Sequence, residues 1–165
     1  MNLWILAASY WIHLLATAVW LGGIALLTFI AWPALRNGTL TANQWLALQK
    51  RFLPWANGSL VLLLITGFVQ MTNDPNYHGF LTIDGVWAGA ILIKHIAFGA
   101  MALISGYMQW ALYPAMNRTS LLLEKKPALA KTEQAALQQK EIRLLRLNLI
   151  CAVAVLLCTA VATAV

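Results

Sequence analysis

The chain has 165 residues, of which 61% are hydrophobic and 10% are charged, and its mean hydropathy is +0.73. This composition excludes a water-soluble monomer, because water would not keep so apolar a chain folded, and it indicates an integral membrane protein. The formal net charge of +6 comes from basic residues spread over loops, so nucleic-acid binding is not indicated.

Four apolar segments are long enough to cross a bilayer, since about 20 residues at ~1.5 Å rise each span a hydrocarbon core of about 30 Å. The first segment, Leu3 to Trp32, contains no acidic or basic residue, and Pro114 closes the third. The sequence therefore predicts an all-α, integral membrane four-helix bundle that forms a single domain. The predicted spans are residues 3–32, 54–71, 85–113 and 144–165, and residues 119–143 are predicted to form a cytoplasmic helical extension.

The loops between these spans differ in charge. Apart from Lys94, all Lys and Arg residues occupy or border the first and third loops, whereas the second loop contains Asp74 and Asp84 and no basic residue. The positive-inside rule then makes the first and third loops cytoplasmic. We expect a multi-pass protein of the bacterial inner membrane, with both termini and the loop containing His78 on the outer, periplasmic side. The role of His78 is left open.

Two histidines lie at matched depth in the predicted bundle. His13 is ten residues into the first span and His95 follows Gly85 by ten residues, so each lies about 15 Å along its helix. Since the first and third spans run in the same direction, both imidazoles are expected in the outer half of the bilayer. Axial ligation of a b-type haem requires such a pair, one nitrogen for each face of the iron. Interhelical packing is the alternative role.

The residues around each histidine also suit a flat cofactor. Thr17 and Trp20 follow His13 at helical spacings of four and seven residues, which places a hydroxyl group and an aromatic ring on the face of the ligand. Gly23 allows a neighbouring backbone or ring to approach, and Gly99 leaves the helix face beyond His95 nearly bare. All four residues are therefore predicted to contribute to cofactor binding.

Lys94 is the only charged side chain well within a predicted span. Insertion of a charge at mid-helix costs at least ~2.5–3.5 kcal/mol, so an intramembrane lysine indicates function. We expect Lys94 to pair with a haem propionate or with an anionic substrate. The alternative is that its long stem extends toward the nearer interface.

Three segments resemble a known family: "HLLATAVWLGGIALL", "RFLPWANGSLVLLLITG" and "WAGAILIKHIAFGAMALISG". They resemble the membrane module of the CopD-like copper resistance family and, more distantly, the HemJ-type protoporphyrinogen oxidases. The first resemblance implies copper uptake or tolerance. The second implies haem b and oxidation of a tetrapyrrole, with His13 as ligand and Lys94 as its charged partner. His95 departs from both patterns, which favours a bis-histidine cytochrome.

Three functions therefore remain open. The preferred one is a haem-b protein with His13 and His95 as axial ligands, transferring electrons to a partner such as quinone. The second is a HemJ-type oxidoreductase acting on a tetrapyrrole, and the third is a copper transport or tolerance protein in which the histidines bind copper or only pack. Whether the protein is an enzyme is not determined; if it is, the chemistry implies an oxidoreductase.

The fourth span carries small residues on one face. Cys151, Cys158 and Ala162 recur at spacings of seven and four residues, and small residues let transmembrane helices approach closely. This face either closes the bundle or joins two copies of the chain. We expect a homodimer.

Overall fold

The computed structural model describes residues 3–77, 79, 85–122 and 127–164, apart from the side chains of residues 120, 127–129 and 131. His78 and Asp84 lie outside the described residues. Within these ranges all regular structure is helical. The α-helices are α1 (Leu3–Leu26), α2 (Trp32–Arg36), α3 (Ala42–Thr72), α4 (Val86–Tyr107), α5 (Tyr113–Leu122) and α6 (Pro127–Ala164), and π-helical segments cover Leu27–Ala31 and Met108–Leu112.

Four helical stretches are long and apolar enough to cross a membrane. Large apolar side chains point away from the bundle, including Trp4, Leu103 and Trp110, which are 78%, 77% and 79% exposed. An outer surface of this kind is stable only in lipid. The all-helical, multi-pass membrane fold is therefore confirmed, with stretches Leu3–Arg36, Ala42–Thr72, Val86–Thr119 and Thr132–Ala164.

The helices pack in two antiparallel pairs, α1 with α3 and α4 with α6, and α1 also contacts α6. Residues near the start of α1, the end of α3, the start of α4 and the end of α6 line one pocket. We call this end of the bundle, where α1 begins and α6 ends, the terminal end. The opposite end, where α2 ends at Arg36, is the basic end.

The second membrane helix begins earlier than the sequence predicts. α3 starts at Ala42, where Thr41 and Gln44 form a capping box, and Pro54 lies inside the helix. The predicted start at residue 54 is therefore corrected: a proline suits a first turn, but the Thr-x-x-Gln cap satisfies the free backbone N–H groups twelve residues before it. This correction brings Trp45 and Gln49 into the helix bundle.

The first and third membrane helices continue past the prolines that were predicted to end them. The N–H of Trp32 donates to the carbonyl of Leu27, and the N–H of Tyr113 donates to the carbonyl of Met108. Each of the two helices therefore makes one wide π-helical turn just before its proline. This wider turn changes the backbone hydrogen bonding where a proline lacks its N–H. α6 is likewise one continuous helix, which joins the predicted helical extension, from Pro127 onward, to the fourth span.

The two helix pairs resemble each other in sequence. Residues 28–35, "TFIAWPAL", and residues 109–116, "QWALYPAM", both place an aromatic residue, proline and alanine at the end of a π-helical segment. His13 precedes Pro33 by 20 residues, and His95 precedes Pro114 by 19. The two histidines thus lie at similar depth in the two halves of the bundle, but the one-residue difference turns them by about 100° around their helices.

Two clusters of buried side chains hold these halves together. The cluster at the basic end surrounds Trp45 and includes residues of both π-helical segments. The other cluster surrounds Trp20 and reaches Met101 of α4 and Ala152 of α6. This second cluster forms the floor of the pocket at the terminal end.

Candidate functional site

A pocket of about 340 Å³ opens at the terminal end, between α1, α3, α4 and α6. Its volume is in the range of small-molecule sites, which are mostly apolar with a few polar groups. Five residues that the sequence singled out line this pocket: His13, Thr17, Trp20, Lys94 and His95.

The hydrogen bonds of His13 determine which ring nitrogen can bind a ligand. Nδ1 of His13 lies 2.7 Å from Oγ1 of Thr66, and the Thr66 hydroxyl donates to the carbonyl of Leu62 at 2.6 Å. Because the only hydroxyl proton of Thr66 is used, its oxygen accepts the Nδ1–H of His13. In the neutral ring the lone pair is then on Nε2.

His95 has the same tautomer by a different contact. Its Nδ1 lies 2.7 Å from the carbonyl oxygen of Ile91, and a carbonyl can only accept. Nδ1 therefore carries the proton and Nε2 carries the lone pair. The ring also lies beside Phe68, with centroids 6.0 Å apart and planes tilted by 55°.

The predicted bis-histidine site is not formed in this structure. His13 is bonded to α3 through Thr66, whereas His95 is bonded within its own helix and packs on Phe68. Each ring is held by its own partner, and matched depth along two helices does not by itself orient two rings toward one ligand. Among the described residues there is also no group of three or more His, Cys, Asp or Glu side chains that could hold a metal ion.

Two polar groups of the pocket lack partners in the described part of the chain. Lys94 is half-buried and makes no hydrogen bond or ion pair there, although it is close enough to His13 for an electrostatic interaction. The indole N–H of Trp20 is buried without an acceptor, and Trp20 is only 3% exposed. Since buried polar groups are usually paired, both groups suit a ligand with acceptor atoms.

The remaining predicted residues have structural partners. The Thr17 hydroxyl donates to the carbonyl of His13 at 2.8 Å. A Cβ on Gly23 would overlap the ring of Phe52, so this glycine makes room for a side chain of α3. Gly99 is not among the residues that line the pocket.

Several other residues of the site were not predicted from the sequence. Thr66, which sets the tautomer of His13, is a common residue in apolar helices and gives no signal of its own. Met71 and Met101 also line the pocket, and are 7% and 2% exposed; methionine in an apolar helix is usually a packing residue, so its presence in the sequence does not indicate a ligand. Asp74, just beyond α3, completes the lining at the terminal end.

Comparison with known proteins shows that the chain matches the model of a protein family. The model of that family, described as copper resistance protein D, matches residues 46–162. No curated protein and no solved structure matches the chain. The matched range contains Lys94, His95 and Met101 but begins after His13, and it covers most of the chain. This protein therefore belongs to the copper resistance protein D family.

Proposed function

We propose that this protein handles copper, and that it binds Cu(I) in the pocket at the terminal end, where the rings of His13 and His95 turn on binding to bring both Nε2 atoms to one ion. The observation that carries the proposal is the tautomer of the two rings. Both donate Nδ1–H to a protein oxygen, and both line the same pocket. A second hydrogen bond of this kind orients a histidine ligand and raises its basicity.

The other donors in the pocket suit the same ion. Cu(I) prefers soft ligands such as thioethers and also binds imidazole, and Met71 and Met101 line the pocket with the histidines. Asp74 contributes a carboxylate to the same lining, which favours entry of a cation. Copper is the cargo in this proposal, so the site needs to release it as well as bind it.

Lys94 gives the site moderate affinity. Its ammonium group is unpaired among the described residues and lies near His13, so it repels a second cation in a medium less polar than water. Transport sites need binding that permits entry but still allows exit. Lys94 therefore opposes permanent retention of copper.

The test is a Cu(I) titration of the detergent-purified protein against a chromophoric Cu(I) chelator. His13→Ala, His95→Ala and Met101→Leu are expected to weaken binding about tenfold or more. Met108→Leu is the matched control, because Met108 is also buried, at 3% exposure, but lies in the cluster at the basic end. Unchanged affinity in both histidine variants would contradict the proposal.

A second candidate is binding of haem b, with quinone or a tetrapyrrole as redox partner or substrate. The specific observation in its favour is the pair of unpartnered donors, the ammonium of Lys94 and the indole N–H of Trp20, in the pocket that holds both histidines. Carboxylates of a porphyrin would accept from such donors. His13 and His95 are the residues that would hold the haem iron after their rings turn toward it, and the bound haem would supply one-electron chemistry.

One spectrum separates the two candidates. The protein is purified from haem-sufficient cells, and a dithionite-reduced minus air-oxidised absorption spectrum is combined with a pyridine haemochrome assay. Haem b near one equivalent per chain would replace the copper proposal by the haem candidate. A featureless spectrum together with Cu(I) binding would eliminate haem.

We further propose that the basic end faces the cytoplasm and that the protein resides in the bacterial inner membrane. The supporting observation is the position of Arg36, Lys50 and Arg118 at one end of the bundle, as the positive-inside rule requires. A cysteine introduced at Lys50, in the Cys151→Ser, Cys158→Ser background, should resist a membrane-impermeant thiol reagent in intact spheroplasts. Labelling of this cysteine before lysis would show that the basic end faces the periplasm instead.

A further inference from the structure

A carboxyl group is enclosed at the opposite end of the bundle from the pocket. Glu141 of α6 is 0% exposed. The buried cluster around it is apolar and contains Trp45, Leu112 and Leu145. A glutamate so fully buried is rare unless it is paired, so its charge state needs a physical explanation.

Two donors from α3 contact this carboxyl group. Nε1 of Trp45 donates to Oε2 of Glu141 at 2.9 Å, and Nε2 of Gln49 donates to Oε1. These bonds satisfy oxygen atoms but bring no positive charge. They favour the carboxylate, and burial of the group opposes them by favouring the neutral acid.

No cation compensates Glu141 within the described part of the chain. Lys140, the adjacent residue, is exposed and donates to the hydroxyl of Tyr107, while Arg143 and Arg146 are also exposed. The titratable group in electrostatic contact with the carboxyl is the phenol of Tyr113, which is neutral when protonated. An unpaired carboxylate in apolar surroundings is strongly disfavoured, and a bound proton removes that charge.

Buried acceptors continue from Glu141 toward the pocket. Oε1 of Gln49 and Oδ1 of Asn148 are both buried without a donor; these two residues are each 2% exposed. Asn148 lies seven residues beyond Glu141 on α6, about 10.5 Å along the same helix face. Unsatisfied groups of this kind are typically bonded to buried water.

The pocket lies at the far end of this polar series. Nδ2 of Asn148 donates to Oγ of Ser105 at 3.0 Å, and Ser105 donates to the carbonyl of Met101 at 2.8 Å. Met101 also lines the pocket. The interior thus holds two separate sets of polar groups, one around Glu141 and one from Asn148 to the pocket floor, about 10.5 Å apart along α6, and water would have to bridge them.

We propose that Glu141 is a proton-binding site, protonated in the resting protein, whose proton exchanges through the buried polar groups between the basic end and the pocket. When the carboxyl O–H bond breaks, the proton passes to water and the carboxylate keeps the N–H bonds of Trp45 and Gln49. Chains of carboxyl and polar groups within a membrane serve as proton relays in pumps and transporters. The proposal does not depend on whether the pocket binds copper.

The test is infrared spectroscopy of the full-length protein in lipid vesicles at neutral pH. The wild type is expected to show the C=O stretch of a protonated carboxyl group, and Glu141→Gln is expected to lack it. Glu133→Gln is the matched control, because Glu133 is an exposed glutamate of the same helix. The chain has only five acidic residues, so the band can be assigned. Its absence from the wild type, or its retention in Glu141→Gln, would overturn the proposal.

Two further measurements do not require Glu141→Gln to fold. One asks whether the proton exchanges with solvent, and the other asks whether the band belongs to Glu141. On transfer to D2O the wild-type band is expected to shift, because water reaches the carboxyl group. Trp45→Phe removes one N–H donor and is expected to move the band to higher wavenumber. A band that never exchanges would show a purely structural acid, and an unmoved band in Trp45→Phe would assign the signal to another group.

Discussion

Thr66 holds the ring of His13 from across the α1–α3 interface, with Oγ1 at 2.7 Å from Nδ1. The hydroxyl of Thr66 donates its proton to the carbonyl of Leu62. The Nδ1–H of His13 is therefore the donor in this contact, and the Thr66 oxygen is the acceptor. A residue of the second membrane helix therefore determines which nitrogen of a first-helix histidine faces the pocket.

Thr66→Val should weaken Cu(I) binding by about 10- to 100-fold, the usual range for loss of such a supporting hydrogen bond. Valine keeps the shape but leaves the Nδ1–H of His13 without an acceptor. Competition with a chromophoric Cu(I) chelator measures the change. Thr72→Val is the control, since Thr72 is exposed and its hydroxyl contacts only local groups, the carbonyls of Phe68 and Val69 and the side chain of Asn73. Equal affinities in both variants would remove Thr66 from the site.

Lys94→Leu should strengthen Cu(I) binding about tenfold, a change of ~1.4 kcal/mol. The substitution keeps an apolar side chain without adding a copper ligand, and it removes a positive charge that interacts with His13; like charges repel strongly where the effective dielectric constant is only ~20. The same titration measures it, with exposed Lys50→Leu as control.

Lys94→Leu also separates the two candidate ligands of the pocket, copper and haem b, because the expected signs are opposite. If the pocket holds haem b, loss of the ammonium group removes a partner of the porphyrin carboxylates and lowers the haem content of the purified protein. Tighter copper binding supports the copper proposal, and a lowered haem content supports the haem candidate. Unchanged values for both would show that Lys94 is not part of either site.

The pocket could be predicted from the sequence because its residues are identified by depth. Hydropathy locates the spans, and counting along parallel helices places His13 and His95 at similar depth. Ring orientation could not be predicted, since it depends on Thr66 and Ile91, and neither residue is distinctive in an apolar helix. Depth gives only the position of a residue along the bundle axis, whereas a ligand site also depends on the direction in which each ring faces.

The buried carboxyl was missed for a local reason. A predicted helix start at Pro54 leaves Trp45 and Gln49 in a loop, so Glu141 has no apparent partners and is assigned to a solvated extension. The Thr41 capping box was the available signal, because Thr-x-x-Gln before an apolar run marks a helix start. With α3 extended to that point, Gln49 and Glu141 both belong to the bundle.

Glu141→Ala should lower the free energy of unfolding by about 2–6 kcal/mol, because two buried donors, on Trp45 and Gln49, lose their acceptor at ~1–3 kcal/mol each. Thermal unfolding in detergent, followed by circular dichroism, measures the loss. Glu133→Ala is the control: this exposed residue should change stability by no more than ~0.5 kcal/mol. A similar small effect at Glu141 would mean that the two donors find other acceptors.

Adjacent glycines of α1 should respond in opposite ways to the same substitution. A Cβ on Gly23 would overlap the Phe52 ring, whereas nothing lies within 4 Å of one on Gly22. Gly23→Ala should therefore destabilise the bundle by about 1–3 kcal/mol through overpacking. Gly22→Ala should be neutral or stabilise it by up to ~1 kcal/mol, because alanine favours helix. Thermal unfolding of both variants in one detergent measures the contrast.

The double variant Gly23→Ala, Phe52→Leu identifies the cause of that difference. A smaller side chain at position 52 frees the space that the new methyl group needs, so the two changes should be non-additive, as expected for residues in contact. The ring of Phe52 packs against both buried clusters, so Phe52→Leu alone should also be destabilising. If Gly23→Ala cost as much with leucine at position 52 as with phenylalanine, the close approach of α1 and α3 at Gly23 would not depend on Phe52, and the role of Gly23 would have to be sought on its other side, toward a ligand.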